Sequence, residues 1–187
     1  EAIAFAHAKH LPTFVLGGGS NVLISDQGFP GVVLHIAIPG IVWEDHSSHV
    51  FATVGAGVVW DEFVAAAVTR GYYGIENLSG VPGSAGASAI QNIGAYGMEV
   101  ADAIEWVEAY GAKEGMARKI RNEDCSFQYR DSIWKHETGK NFIITRIRFR
   151  LKKTGTPDIS YKDLAAYFTE KKKTRRSDSF TRIGYKT

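Results

Sequence analysis

Three stretches concentrate the residues able to do chemistry. The first, Leu16–Asp26, reads LGGGSNVLISD, with Gly17, Gly18 and Gly19 in a row ahead of Ser20, Asn21 and Val22. Consecutive glycines are entropically costly, so they mark a positive φ or a close backbone approach. Two readings follow: a mobile hairpin turn, or a nest of backbone N–H groups around an anion. The second stretch, GIENLSGVPGSAGASAIQNIGAYG at 74–97, holds six glycines yet stays apolar. A flexible linker would be more polar, so this segment reads as backbone packed against a bulky partner. The third, CSFQYRDSIWK at 125–135, sets Arg130 between Tyr129 and Asp131. Spacing alone favours a structural salt bridge from Arg130 to Asp131 or another acid. Two glycine-rich backbone surfaces and one placed arginine together fit a large diphosphate cofactor and an anionic substrate. The phosphate oxygens would then be held by backbone N–H groups rather than by lysine.

Other signatures fail on inspection. A dinucleotide fingerprint needs glycine where Val22 stands, and a P-loop needs Ser or Thr after Gly139-Lys140, where Asn141 stands. No nucleophile elbow surrounds Ser20 or Ser84. Ser132-x-x-Lys135 and Lys153-Thr154-Gly155 do match the pattern of penicillin-recognising serine hydrolases. The two motifs stand too close together for the domain between them, and Gly139 interrupts the helix that should follow Lys135. His46-x-x-His49 has ligand spacing, but with no cysteine nearby it reads as a solvated turn rather than a metal site.

Composition sets the frame for these residues. The 187 residues are 44% hydrophobic and 22% charged, ordinary for a soluble globular protein of one domain or two small lobes. Cys125 is the single cysteine, which excludes an internal disulfide and fits a reducing compartment. No apolar run approaches the ~18 residues that span a membrane, and no signal peptide is visible. The chain opens on Glu1 rather than Met, so the true N-terminus is expected to lie upstream. The net charge of +2 divides unevenly: residues 170–187 carry seven Lys/Arg against two acids. The body is therefore mildly acidic, which argues against nucleic-acid binding, and the basic end reads as a solvated terminus.

The elements that must position these residues follow from periodicity and turn signals. Glu1–Lys9 reads as a helix, and Thr13–Leu16 and Gly31–Ile36 as short buried strands flanking the glycine loop. Val42–Glu44 and His49–Gly55 form a hairpin turning at HSSH. Trp60–Arg70 has helical apolar spacing and ends at Gly71. Ala103–Tyr110 and Met116–Arg121 form a second hairpin. Ile143–Leu151 alternates, with Ile143, Thr145, Ile147, Phe149 and Leu151 inward and Ile144, Arg146, Arg148 and Arg150 on a wet face. Tyr161–Glu170 reads as a short helix.

LGGGSNVL, GIENLSGVPGSAGASAIQNIGAYG, CSFQYRDSIWK and SYKDL together resemble the core of the UDP-N-acetylenolpyruvoylglucosamine reductases, from about Glu1 to Phe168. These are FAD-dependent, NADPH-using oxidoreductases of peptidoglycan precursor synthesis, and hence of cell-wall biogenesis, cell shape and division. The resemblance implies an α+β, two-lobe FAD-binding fold of the PCMH (vanillyl-alcohol oxidase-like) type. Residues 1–38 would be the remnant of an incomplete N-terminal lobe and 39–168 a second lobe with an antiparallel sheet. The basic tail 169–187 is unlike the family, and the C-terminal substrate domain is absent.

The resemblance also implies roles for particular residues. Gly17, Gly18, Gly19, Ser20, Asn21 and Val22 would wrap the FAD pyrophosphate. Pro82, Gly83, Ser84, Gly86, Ala87, Ile90 and Gly94 would line the other side of the flavin nucleotide, with Ile144 also on the cofactor. Tyr96 and Tyr161 would contact the UDP-sugar substrate, Tyr161 closing over the UDP portion. Arg130 matches the catalytic arginine, which stabilises charge as hydride passes from NADPH through FAD to the β-carbon of the enolpyruvyl group. A serine then protonates the other carbon. The family's serine motif has no match, and Ser177 and Ser179 lack its flanking residues. The chain is therefore expected to be a truncated piece with impaired turnover, cytoplasmic, with neither nucleic acid nor membrane as a partner. A flavin-binding piece without turnover and the serine hydrolase remain as alternatives.

Overall fold

A computed structural model describes residues 1–170 of the chain. Most of the basic tail, with Ser177 and Ser179, lies outside the described residues. The chain opens with α1 (Ala2–Ala8), β1 (Thr13–Leu16) and β2 (Val32–His35). Then come β3 (Ile41–Asp45), β4 (His49–Gly55), α2 (Trp60–Thr69) and α3 (Ala85–Ile90). A short ribbon of β5 (Gly94–Ala95) and β6 (Met98–Glu99) follows, then β7 (Ile104–Gly111), β8 (Met116–Arg121), β9 (Phe142–Lys152) and α4 (Lys162–Glu170).

β1 and β2 form a small parallel sheet, with Leu16 opposite His35. Both strands stand where the apolar runs place them, but they alternate between half-buried and exposed instead of lying buried. Five strands build the main antiparallel sheet in the order β3-β4-β9-β7-β8. One face of it carries the core. Trp60, Phe63, Val64, Ala67 and Val68 of α2 are buried at helical spacing. The rings of Phe63 and Phe149 sit 4.8 Å apart, with Trp60 5.8 Å from Phe149. The buried Trp60 indole donates to the Leu78 carbonyl at 2.9 Å, so its polar atom is satisfied. Gly71, at φ +74°, ends α2 in the left-handed conformation.

The alternation expected for β9 breaks at Thr145. Arg146 pairs with Glu108, but Ile144 pairs with Ala109, so Thr145 is the extra residue of a β-bulge. Its hydroxyl donates to Glu108 Oε1 at 2.9 Å and its carbonyl accepts from the Ala56 N–H. Beyond the bulge the faces exchange, so Ile144 joins Ile147, Phe149 and Leu151 in the core instead of facing water. The sheet's other face is tied by Arg148. Its guanidinium makes two 2.7 Å bonds to Glu44 and lies 4.1 Å from the Phe51 ring. Those bonds hold the Glu44 carboxyl below the usual carboxylate range.

Candidate functional site

The two glycine-rich stretches, far apart in sequence, meet in space. A Cβ on Gly17 would lie 3.1 Å from Ser84 Oγ and 3.6 Å from Ala87 Cβ. One on Gly18 would lie 3.6 Å from Gly83 Cα, and one on Gly83 3.2 Å from Ser20 Oγ. Asn21 Nδ2 donates to Gln91 Oε1 at 3.0 Å, closing the far end of the contact. Gly19 (φ +76°) and Gly83 (φ +116°) take conformations that an L side chain resists. Gly18 does not, and a Cβ there would make only an ordinary contact, so neither φ nor crowding within the protein demands its glycine.

The donors left free define what this junction can hold. Ala85 and Gly86, at the start of α3, donate to the Val58 and Ala56 carbonyls. Ala87 N–H turns to the Ser84 hydroxyl, which caps the helix. Among the described residues, the N–H groups from Gly17 to Asn21 have no protein acceptor. A run of free N–H groups in a loop with a positive-φ glycine is an anion-binding concavity. A groove of about 690 Å³ runs from Gly18, Gly83 and Ser84 past Ile36 and Val58 to Trp43. A cleft of about 710 Å³ lies apart from this junction, between α1, β2, Tyr110 and Ile143.

Arg130 and the two tyrosines sit on a neighbouring edge. Tyr96 (φ +50°) and Gly97 (φ +81°) form the two-residue turn joining β5 to β6, the geometry of a type I′ hairpin. Tyr96 stacks edge-on against Tyr161 at 5.6 Å, and both rings are partly exposed. Arg130 Nη2 donates to the Gly94 carbonyl at 2.8 Å, at the root of that hairpin. The expected salt bridge with Asp131 is not formed. Asp131 is taken by His136 at 2.8 Å and Lys135 at 4.0 Å. His136 is the main reason the Asp131 carboxyl sits below its ordinary range. Among the described residues, no carboxylate pairs with Arg130. An exposed guanidinium without a carboxylate can receive one from a ligand.

The remaining sequence-predicted residues divide. Pro82 is exposed, and Ala87 and Ile90 are half-buried, Ala87 beside Gly17 and Ile90 against the edge of the main core. Val22 is 44% exposed. Gly86 is buried with its N–H on Ala56, so its role here is packing, and Ile144 lies in the core beneath α3. Ser132 is not placed as a nucleophile: it is fully buried and donates to the Ile90 carbonyl at 2.5 Å. Lys153 is paired with Asp45 at 2.8 Å. Sequence reasoning passed over Asn92. It is 1% exposed at φ +42°, donates to Glu99 Oε2 and the Gln128 carbonyl, and accepts from Ala101 N–H. It thus joins α3, the β5–β6 ribbon and the Arg130 turn. Its one visible signal was an Asn, one of the few residues besides glycine that tolerate left-handed backbone, inside the glycine-rich stretch.

A parallel pair beside a five-stranded antiparallel sheet, with facing glycine loops between them, defines the flavoprotein fold of the vanillyl-alcohol oxidase type. A VAO-type flavoprotein from Myceliophthora thermophila superposes with a TM-score of 0.55 at 17% identity, over 81% of this chain and 29% of that one. The sequence profile of the FAD binding domain family matches residues 1–120, and the chain belongs to that family. Its similarity to particular members is also high. It is 44% identical over 178 residues to the UDP-N-acetylenolpyruvoylglucosamine reductase of Dechloromonas aromatica, covering 92% of this chain and 52% of that protein. The crystal structure of the Thermus caldophilus reductase of the same name superposes with a TM-score of 0.64 at 27% identity, over 95% of this chain and 62% of that one. The chain spans about half the length of the curated relatives it matches.

Proposed function

We propose that this chain is the flavin-binding part of a UDP-N-acetylenolpyruvoylglucosamine reductase, using NADPH as reductant and acting in the cytoplasm on a UDP-sugar. Residues 1–38 and 39–168 are its two lobes. The observation that carries the reading is the junction itself, where the loop Gly17–Asn21, its N–H groups unpartnered among the described residues, lies against Gly83 and Ser84 and a Cβ on Gly17 or Gly83 would sit tightly. That donor set fits a pyrophosphate. FAD, when bound, supplies the two-electron carrier between nicotinamide and the enolpyruvyl carbon. The residues of the chain bind and orient. Gly17–Val22 hold the pyrophosphate, and Pro82, Gly83, Ser84, Ala87, Ile90 and Gly94 bound the rest of the nucleotide, with Gly86 and Ile144 supporting them from behind. Tyr96 and Tyr161 take the UDP portion. Arg130 receives the substrate carboxylate and stabilises the negative charge that develops there. No residue of this chain is assigned as the acid that protonates the second carbon.

These 187 residues by themselves should therefore bind FAD but turn over slowly, since no acid is assigned among them and loss of a positioned acid typically costs on the order of 10²–10⁴ in rate. Visible spectra of the chain titrated with FAD test binding, and substrate-dependent NADPH oxidation tests turnover. A chain that leaves the flavin spectrum unperturbed overturns the reading. In a chain joined to the rest of such a reductase, Arg130→Lys should keep FAD and its reduction by NADPH. It should lose most reoxidation by the enolpyruvyl substrate, because lysine lacks the planar fork. Unchanged reoxidation removes Arg130 from the site.

A further inference from the structure

Ser132 and Lys135, which matched a hydrolase motif, have another use in this fold. Tyr129 and Arg130 form the tip of a tight turn closed in both directions, Gln128 N–H to Asp131 carbonyl at 3.1 Å and Asp131 N–H to Gln128 carbonyl at 3.0 Å. Arg130 sits there at φ +55°, a conformation a long L side chain adopts only when its surroundings impose it. Three side chains impose it. Before the turn, Asn92 donates to the Gln128 carbonyl at 2.9 Å. After it, the buried Ser132 hydroxyl fastens the chain to the end of α3 through Ile90. The single helical turn Ile133–Lys135 then reverses the chain, and Lys135 Nζ reaches back to donate to the Arg130 carbonyl at 2.9 Å.

We propose that Ser132 and Lys135 are positioning residues that hold Arg130 in its left-handed geometry and so aim its guanidinium at the β5–β6 hairpin. The logic is mechanical. An exposed arginine has four rotatable side-chain bonds, so its reach is useful only if its root is fixed. The serine fixes the residue two beyond Arg130, and the lysine fixes the Arg130 peptide plane itself. The helical turn closes over three residues, Lys135 N–H donating to the Ser132 carbonyl at 3.1 Å, and the long lysine side chain covers the remaining two residues back to Arg130. A charged donor makes that bond stronger than a neutral one. The use made of Arg130 rests on the proposed function; the clamp itself does not.

Lys135 is exposed enough that folding is not at stake, so the test is Lys135→Met in the 187-residue chain, with Lys135→Arg as rescue. Amide exchange at Gln128 and Asp131 should quicken about tenfold in Lys135→Met, the worth of one charge-assisted bond, while Val107 and Ile147 stay as slow as before. The NMR signal of the Arg130 guanidinium, slowed by its bond to Gly94, should sharpen into the free-rotor form in Lys135→Met and return in Lys135→Arg. A purely structural lysine would change neither, and unchanged exchange with an unchanged guanidinium signal overturns the clamp. If both change but Arg130→Lys leaves substrate-driven reoxidation untouched, the clamp stands and the proposed function falls.

Discussion

At Gly18 the distances separate folding from binding. An alanine Cβ there would make an ordinary 3.6 Å contact with Gly83, and no positive φ opposes it. On the proposed function the same atom would stand beside the pyrophosphate. Gly18→Ala should leave the melting temperature within about 1 °C of the parent, since it breaks none of the usual stability rules. FAD affinity should fall at least tenfold while riboflavin, which lacks the diphosphate, binds as before. Equal losses for both ligands in parallel titrations would reduce the glycines to turn formers. Cys125 makes a different kind of residue prediction. Burial, aided by Asp124, pushes its thiol up to about 12. It should resist Ellman's reagent at pH 8 in the native chain and react only on unfolding. Because the folded pKa is raised, its contribution is intact below the unfolded value near ~8.5 and is lost as pH climbs toward the folded one. Cys125→Ala should flatten the stability curve in that window. The glycines were legible because a backbone demand leaves a mark on residue type. Asn92 and Ser132 were not, because a buried amide or hydroxyl takes its meaning from partners that only the tertiary fold supplies.

α3 shows where element-level reasoning stops. Its six residues, AGASAI, are too short for a period to emerge and too small to display a stripe. The sequence therefore read as a glycine segment and not as a helix. What makes it a helix is the Ser84 cap and the docking of its first turn on the end of β4. A Cβ on Gly86 would meet Ala56 Cβ at 2.7 Å and the Ala56 carbonyl oxygen at 3.0 Å, mostly backbone that has nowhere to go. Gly86→Ala should therefore cost about 1–3 kcal/mol as overpacking, measured by denaturant unfolding. It should weaken FAD and riboflavin together, because it displaces the helix and not one phosphate contact. Normal stability would mean that α3 docks more loosely than these distances require. The strands were easier, since both hairpins and β9 announced themselves by alternation. The Thr145 bulge did not, because a one-residue insertion flips the faces beyond it without changing the residue types that define a strand.

At the scale of the whole molecule, the composition allowed two lobes, but it carried nothing on how they meet. Their meeting was legible only through resemblance, since the residues that make it are glycines and small polar side chains with no periodic signature. In the structure the small sheet's loop touches the second stretch through Asn21–Gln91 at 3.0 Å and through backbone approach, while Ile36, just past β2, packs only against the edge of the main core. The two clusters of buried hydrophobics lie elsewhere, the larger on the main sheet and the smaller on α4. A ligand gripping both loops therefore adds a link that the protein makes weakly by itself. Binding at a hundred times Kd contributes about 2.7 kcal/mol. For a chain of this size that raises the melting temperature by roughly 5–11 °C. FAD should give that shift, and riboflavin at the same multiple of its own Kd should give less protection to β1 and β2. Hydrogen exchange separates the cases: with FAD, the amides of Thr13–Leu16 and Val32–His35 should slow together with those of α3. If FAD binds tightly yet slows only α3 and the main sheet, the pyrophosphate does not lie between the loops. The triple glycine would then need another explanation.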